Sequence, residues 1–221
     1  YISYYTPEGW SEPENLGPNI NTDFWESSPS LSPDKRILYF SSNRYGGVGG
    51  KDLYYSVRQA NGKFGEAINM GDSINTAGDE YAPYIHPDNK SLYFTSDGWP
   101  GYGGADLFIM RRDKDGYWGL PENLGYPINT VNEDAYIAVS ADGKTAYYAS
   151  DRSDSRGGLD LYKFTLPKHV QPAKTLYVKG KVFDKKTNKG LPSTIELIDN
   201  STAKVLMKIQ TDEIGDYFIT L

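Results

Sequence analysis

The sequence has no cysteine, only two histidines and no run of about 18 apolar residues. Without cysteine the chain cannot form a disulfide, a thiolate nucleophile or a cysteine-ligated zinc site. Its apolar runs are too short for a transmembrane helix. The 23 basic residues are outnumbered by 29 acidic ones, giving a net charge of −6 with no basic cluster. Because nucleic-acid binding requires phosphate neutralisation, that class of partner is disfavoured.

Helical periodicity is also missing, since no segment carries a sustained 3.6-residue apolar pattern. The chain instead contains 19 tyrosines, 23 glycines and 13 prolines. Tyrosine suits pleated, half-buried strands, and glycine and proline mark frequent turns. The composition therefore predicts an all-β fold.

Landmark residues recur at an interval of 54 positions without insertion. The recurring sets are Trp10, Phe64 and Trp118; Thr22, Thr76 and Thr130; Asp34, Asp88 and Asp142; and Asp52, Asp106 and Asp160. A fixed period of this size indicates one supersecondary unit copied along the chain, in which each copy buries an apolar face against its neighbours.

Each copy has the pattern of four short strands joined by turns. In the best-defined copy the predicted strands are 27–31, 37–41, one opening at Asp52, and 64–70. Four antiparallel strands in a unit of about 40–50 residues are typical of a propeller blade. We therefore predict a partial β-propeller over residues 1–166. Part-blades at both ends predict a longer natural protein, in which an upstream strand completes the last blade.

The remaining residues predict a second, smaller element. Residues 167–174 have no strand pattern and are interpreted as a linker. Residues 175–221 contain four period-two strands and predict a small, incomplete transthyretin-like β-sandwich.

The repeat resembles the PD40 (TolB-like, WD40-like) propeller family in all three copies. The resemblance rests on Asn15-Leu16-Gly17, Ile20-Asn21-Thr22, Pro33-Asp34, Leu38-Tyr39-Phe40-Ser41-Ser42 and Gly49-Gly50-Lys51-Asp52-Leu53-Tyr54. In the tail, Gly180-Lys181-Val182-Phe183-Asp184 and the turn 211–217 resemble a carboxypeptidase-regulatory-like domain. The domain order resembles that of OmpA-family envelope proteins, among them the PorE-like components of type IX secretion.

That resemblance implies a non-catalytic docking or scaffold module in the periplasm, associated with the outer membrane. Its expected partners are other envelope proteins, with no cofactor and no transmembrane segment. Peptidoglycan contact in this family belongs to a separate domain that these residues do not include. A module that binds glycans through an aromatic loop face is the alternative.

The repeated acids favour a structural role. Asp52, Asp106 and Asp160 each follow a short glycine loop, where a carboxylate accepts backbone N–H bonds. Glu26, Glu80 and Asp134 precede the innermost strand of each copy and could ring a central channel. A cation there is an open alternative to the prediction of no bound metal.

The sequence offers little for catalysis, so we predict that the chain is not an enzyme. His86 falls in a column that serine occupies in the other copies, and His169 lies in the predicted linker. No Gly-x-Ser-x-Gly elbow occurs. A glycosidase with paired carboxylates stays open in principle, but no non-repeated pair stands out.

Candidate binding residues lie in columns that differ between copies, because scaffold roles are shared and ligand contacts need not be. These residues are on the loops that enter the first strand and that join the second and third strands. They are Trp25, Arg44, Tyr45, Trp99, Tyr102, Arg152 and Arg156. Tryptophan, tyrosine and arginine anchor protein partners, and the aromatic rings also stack on sugars. Packing between blades is the alternative role for each.

Overall fold

A computed structural model describes residues 1–6 and 9–220 of the chain. These residues form two compact units. One is Leu16–Thr175, and the other combines the described residues of Tyr1–Asn15 and Leu176–Leu221. Almost all regular structure is antiparallel β-sheet, so the prediction of an all-β chain is confirmed.

The larger unit contains three tandem meandering sheets, which we call the first, second and third repeat sheets. The first sheet is β3 (Glu26–Leu31), β4 (Ile37–Ser42), β5 (Asp52–Val57) and β6 (Ile68–Asn69). The second is β7 (Glu80–Ile85), β8 (Ser91–Ser96), β9 (Asp106–Arg111) and β10 (Glu122–Asn123). The third is β11 (Asp134–Val139), β12 (Thr145–Ser150) and β13 (Asp160–Thr165). Corresponding strands of successive sheets start 54 residues apart, as the repeat predicts.

The first strand of each sheet carries the same irregularity. Its pairing with the second strand shifts register after Ser27, Tyr81 and Ala135. The next residues, Ser28, Ala82 and Tyr136, have positive φ angles of 52°, 52° and 57°. A non-glycine residue in this region is uncommon. A positive φ at the same β-bulge in all three copies is therefore a regular structural feature of the repeat.

The sheets pack face to face in chain order, which is a propeller-like arrangement. Tyr39 and Leu53 of the first sheet share a core with Phe94 and Phe108 of the second. The second joins the third in another core, whose members include Tyr93, Leu107, Ile109, Ile137 and Tyr148. Each sheet therefore buries apolar side chains against the next one along the chain, which is the main source of stability in such an array.

Hydrogen bonds reinforce these contacts. The Ile85 amide donates to Ser30 Oγ at 3.0 Å, and the Tyr84 hydroxyl donates to the Val139 carbonyl at 2.7 Å. His86, which follows Ile85, is buried, and its Nε2 lies 3.0 Å from the Ser140 carbonyl oxygen. This histidine therefore connects the second and third sheets.

The predicted linker, residues 167–174, contacts the repeat sheets. A 3₁₀ helix spans Lys168–Val170, and Val170 is buried in the core between the second and third sheets. The Tyr93 hydroxyl donates to the Val170 carbonyl at 2.8 Å. The Ala173 amide donates to Asp88 Oδ2 at 2.9 Å.

The smaller unit contains three two-stranded antiparallel sheets. Its pairs are β1 (Tyr5–Thr6) with β2 (Gly9–Trp10), β14 (Tyr177–Lys181) with β17 (Asp216–Thr220), and β15 (Thr194–Ile198) with β16 (Val205–Gln210). The last four strands fall where the period-two pattern predicts them. Among the described residues no helix has the length and apolarity needed to cross a membrane.

Candidate functional site

The repeated aspartates that follow the glycine loops hold those loops by backbone hydrogen bonds. Asp52 accepts the amides of Val48 at 2.5 Å and Gly49 at 3.1 Å. Asp106 Oδ2 accepts the Tyr102 amide at 2.5 Å, and Asp160 Oδ2 accepts the Arg156 amide at 2.6 Å. The same carboxylate therefore closes the same loop in all three copies.

The acids at the start of each first strand are bound within their own repeats. Glu26 pairs with Arg44 at 3.3 Å, and the fully buried Asp134 pairs with Arg152 at 3.2 Å. Glu80, also fully buried, instead accepts hydrogen bonds from Thr76 at 2.7 Å and Ser96 at 2.6 Å. Within residues 1–6 and 9–220 no group of three or more acidic or histidine side chains could hold a metal ion.

The second repeat has no arginine at the position that pairs with these acids in the other two repeats. Gly98 occupies the column of Arg44 and Arg152, and a Cβ at Gly98 would lie 1.7 Å from Thr76 Oγ1. In the other repeats the arginine donates to a carbonyl at position 20 or 128. Here the Trp99 indole N–H donates to the equivalent Ile74 carbonyl at 2.7 Å. Trp99 replaces this hydrogen bond but supplies no positive charge.

Deeper burial of Glu80, together with the missing positive charge, gives the equivalent carboxyls of Glu26 and Glu80 opposite pKa shifts. Burial opposes ionisation of Glu26, but hydrogen bonds from Thr22 and Ser42 and the Arg44 charge outweigh it and lower its pKa. Burial raises the pKa of Glu80, although Ser96 and Thr76 donate hydrogen bonds to it. Desolvation without a counter-ion therefore dominates at Glu80.

Replacing Glu80 by glutamine is expected to stabilise the protein progressively as the pH rises. The pKa of Glu80 is raised on folding from its ordinary value of 4.5. Its contribution to the free energy of unfolding is therefore fully present below about pH 4.5 and is lost as the pH rises through the folded-state pKa. Urea unfolding between about pH 4 and 8 measures the difference in the free energy of unfolding between variant and parent.

Glu26→Gln is the matched control for this prediction. Its pKa is lowered on folding, so its contribution is lost as the pH falls. Equal pH trends for both variants would contradict this account.

A cavity of about 590 Å³ opens beside the loops, spanning parts of all three repeats. Its polar walls carry Lys51, Asp79, Asp97 and Glu133. Its remaining walls are Trp25, Tyr81, Tyr136 and the segment Gly103-Gly104-Ala105. Three carboxylates therefore face one ammonium group, next to three aromatic rings.

The charged groups of the cavity contact one another and the surrounding aromatic residues. Lys51 Nζ lies 2.8 Å from Asp79 Oδ2 and 5.1 Å from the ring centre of Trp25. The Tyr81 hydroxyl donates to Glu133 Oε1 at 3.2 Å, and burial, followed by the negative charge of Glu133, raises the pKa of Tyr81. The Tyr81 phenol therefore stays protonated and acts as a donor. Such a pocket can bind a polar or cationic group by charge, hydrogen bonds and ring contacts.

The seven residues predicted to bind a ligand fall into two groups. Arg44, Arg152 and Trp99 are half-buried and are engaged in the contacts described above. Trp25, Tyr45, Tyr102 and Arg156 are exposed on loops, and Trp25 also lines the cavity. The exposed Phe24 adds to this surface, with its ring 6.4 Å from that of Tyr45.

The sequence prediction did not include the residues that form most of the cavity. Lys51, Asp79, Tyr81, Glu133 and Tyr136 all stand in columns that differ between copies. Lys51, for example, aligns with Ala105 and Leu159. That variation was a visible signal, but only the structure shows that these columns meet at one place.

No protein-family model matches the chain, and no curated protein does. Solved structures that resemble it include TolB from Acinetobacter baumannii, with 14% identity, a TM-score of 0.46, and coverage of 87% of this chain and 45% of that one. An α-L-arabinofuranosidase from Lactobacillus brevis has 11% identity, a TM-score of 0.43, and coverage of 72% and 57%. A puromycin hydrolase S511A mutant has 13% identity, a TM-score of 0.33, and coverage of 84% and 33%. The chain thus spans less than half of the TolB structure. Similarity at this level carries no functional inference.

Proposed function

We propose that the chain is a non-catalytic protein-docking module of the bacterial cell envelope. In this proposal residues 1–166 belong to a β-propeller, 167–174 connect it, and 175–221 belong to a carboxypeptidase-regulatory-like β-sandwich. The module acts in the periplasm at the outer membrane, and its partners are other envelope proteins. Peptidoglycan contact would come only through a domain outside these residues, as in the OmpA family that the sequence resembles. Type IX secretion is the proposed setting, on the resemblance of domain order to PorE-like components.

The exposed aromatic loops of the first repeat are the observation that carries this proposal. Tyr45 is 93% exposed, and Phe24, Trp25 and Val48 are exposed beside it. Exposing a large aromatic side chain to water is unfavourable, and such side chains are enriched among the anchors of protein interfaces. The adjoining cavity, which Trp25 lines, gives such a partner a recess next to these exposed side chains.

Replacing Tyr45 by serine is expected to weaken partner binding at least about tenfold, because truncating a central aromatic anchor removes most of its buried contact. The measurement starts with chemical cross-linking of the tagged protein in envelope extract. The recovered partner is then purified and titrated against each variant. Tyr117→Ser is the matched control, since Tyr117 is also exposed but lies on a turn outside these loops. Equal affinity of both variants would argue against docking through the aromatic loops.

A glycan-binding module is the second candidate, favoured by the neighbouring exposed rings of Phe24 and Tyr45 and by the exposed Trp25. Trp99 is half-buried and its indole N–H is bonded to the Ile74 carbonyl, so the exposed rings of the first repeat offer a sugar a better stacking surface than Trp99 does. An array of cell-wall and surface glycans separates the candidates. Glycan binding that disappears in Tyr45→Ser, with no protein partner recovered, would replace the docking proposal.

A further inference from the structure

The contact between the first and second repeat sheets recurs between the second and third. We call these places the first joint, where residues 50–52 meet 78–80, and the second joint, where residues 104–106 meet 132–134. In the first joint the Glu80 amide donates to the Lys51 carbonyl at 2.7 Å. In the second the Asp134 amide donates to the Ala105 carbonyl at 2.8 Å. Lys51 and Ala105 therefore occupy the same backbone position in two equivalent joints.

The glycines before these residues make the close approach possible. A Cβ at Gly49 would lie 2.0 Å from the Thr76 carbonyl oxygen, and one at Gly103 would lie 2.2 Å from the Val131 carbonyl. Glycine at both positions therefore lets each loop reach the backbone of the next sheet. The two joints have the same construction and differ in their side chains.

The first joint holds an ammonium group supplied by the chain itself. Lys51 Nζ lies 2.8 Å from Asp79 Oδ2 and near two aromatic rings, at 5.1 Å from the centre of Trp25 and 5.4 Å from that of Tyr81. A carboxylate with flanking rings is a suitable environment for an organic cation. The first joint thus shows that a joint of this backbone construction can hold an ammonium group.

The second joint has the acid but lacks the amine. Glu133 stands in the position of Asp79, and Ala105 stands in the position of Lys51. Both residues line the cavity of about 590 Å³, together with Tyr81 and Tyr136. The Tyr136 ring centre lies 5.7 Å from that of Tyr81, and Tyr136 is half-exposed. Ala105 is buried against Tyr81, Ala82 and Ala135, and no long side chain from position 105 reaches into the adjoining cavity.

We propose that the second joint binds an alkylammonium group, carried by a lysine side chain of a protein partner. The ammonium takes the position relative to Glu133 that Lys51 Nζ takes relative to Asp79. Asp97 adds negative charge, whereas the charge of Asp79 is already paired with Lys51, and Tyr81 and Tyr136 contact the aliphatic part of the side chain. Only the protein source of the lysine rests on the proposed docking function. The chemistry of the site stands without it.

A titration with a small lysine derivative tests the site directly. The probe is Nα-acetyl-lysine methylamide, and the neutral control is the norleucine derivative of the same length. Amide resonances of Gly103, Gly104 and Ala105 are followed by NMR. We expect the lysine probe to shift these resonances, increasingly at low salt, and the norleucine probe to leave them unchanged. Equal shifts with both probes, or none with lysine, would overturn the proposal.

Two variants assign the effect to the second joint. Glu133→Gln is expected to weaken probe binding at least about tenfold, since a hydrogen bond to a charged group is lost. Ala105→Lys is expected to abolish binding, because the new side chain fills the position of the ligand. Leu159→Lys is the matched control at the equivalent position of the third repeat, and should leave the titration unchanged. Glu133→Gln adds no side chain, so it tests the site even where Ala105→Lys does not fold.

The outcomes separate this inference from the proposed function. Loss of partner binding in Tyr45→Ser with no response to the lysine probe would overturn the lysine site and leave protein docking intact. A response to the probe that both second-joint variants remove, with no protein partner recovered, would support the site and contradict docking. A probe response that persists in Ala105→Lys would place the amine elsewhere and overturn the assignment.

Discussion

Replacing Arg152 by methionine is expected to lower the free energy of unfolding by about 3–5 kcal/mol, as breaking a buried ion pair does. Its partner Asp134 is 0% exposed, so the variant leaves a buried carboxylate without its counter-ion. Arg152 also donates to the Ile128 carbonyl at 2.8 Å and packs over Tyr162 with its guanidinium 4.8 Å from the ring centre. Methionine keeps much of the apolar contact and removes the charge.

Urea unfolding at neutral pH measures this effect. Arg156→Met is the matched control, because Arg156 lies on the same loop but is exposed, and its replacement should change stability by less than about 0.5 kcal/mol. The double variant Arg152→Met, Asp134→Asn should recover part of the loss, since the uncompensated charge is gone. A loss in Arg152→Met no larger than in Arg156→Met would show that the pair does not stabilise the third repeat.

The sequence predicts most of the repeat-sheet strands because the apolar pattern and the turn residues agree. The 54-residue interval places β4, β8 and β12 correctly, and each follows a turn with aspartate at the same position. The four strands in the tail are also found where alternation predicts them. Local pattern and global fold are consistent in these segments.

The fourth strand of the repeat is shorter than predicted. The prediction covers 64–70, whereas β6 contains only Ile68 and Asn69 and an isolated bridge joins Phe64 to Arg58. Phe64 is bridged to Arg58 and Ile68 pairs with Tyr55. Four residue steps along the fourth strand, from 64 to 68, therefore lie opposite three steps, from 58 to 55. The extra residue interrupts the ladder. The bulged first strands were likewise unpredictable, because serine, alanine and tyrosine share no preference for positive φ.

The candidate site was predicted only in part, for a reason that lies in packing. Variation between copies draws attention to the loops, and of the seven predicted binding residues Trp25 lines the cavity. The same variation at Trp99 has a different cause, since the indole replaces an arginine as hydrogen-bond donor. Whether a variable column meets a ligand or a neighbouring strand depends on contacts between repeats. One sequence does not specify those contacts.

Each repeat sheet buries a face against the next, and one column of the repeat illustrates this packing. Leu53, Leu107 and Leu161 occupy one column of the repeat. Leu53 and Leu107 are 0% exposed, in the cores between successive sheets, whereas Leu161 is 77% exposed. The same residue type at the same strand position is therefore buried where another repeat sheet packs on it and exposed where none does.

Alanine replacement of these three leucines, followed by urea unfolding, is the most direct test. Leu53→Ala and Leu107→Ala are each expected to lower the free energy of unfolding by about 2–5 kcal/mol, from lost burial and the cavity left behind. Leu161→Ala should change it by less than about 0.5 kcal/mol. Equal losses at all three positions, or no loss at Leu107, would contradict the packing of the sheets in series.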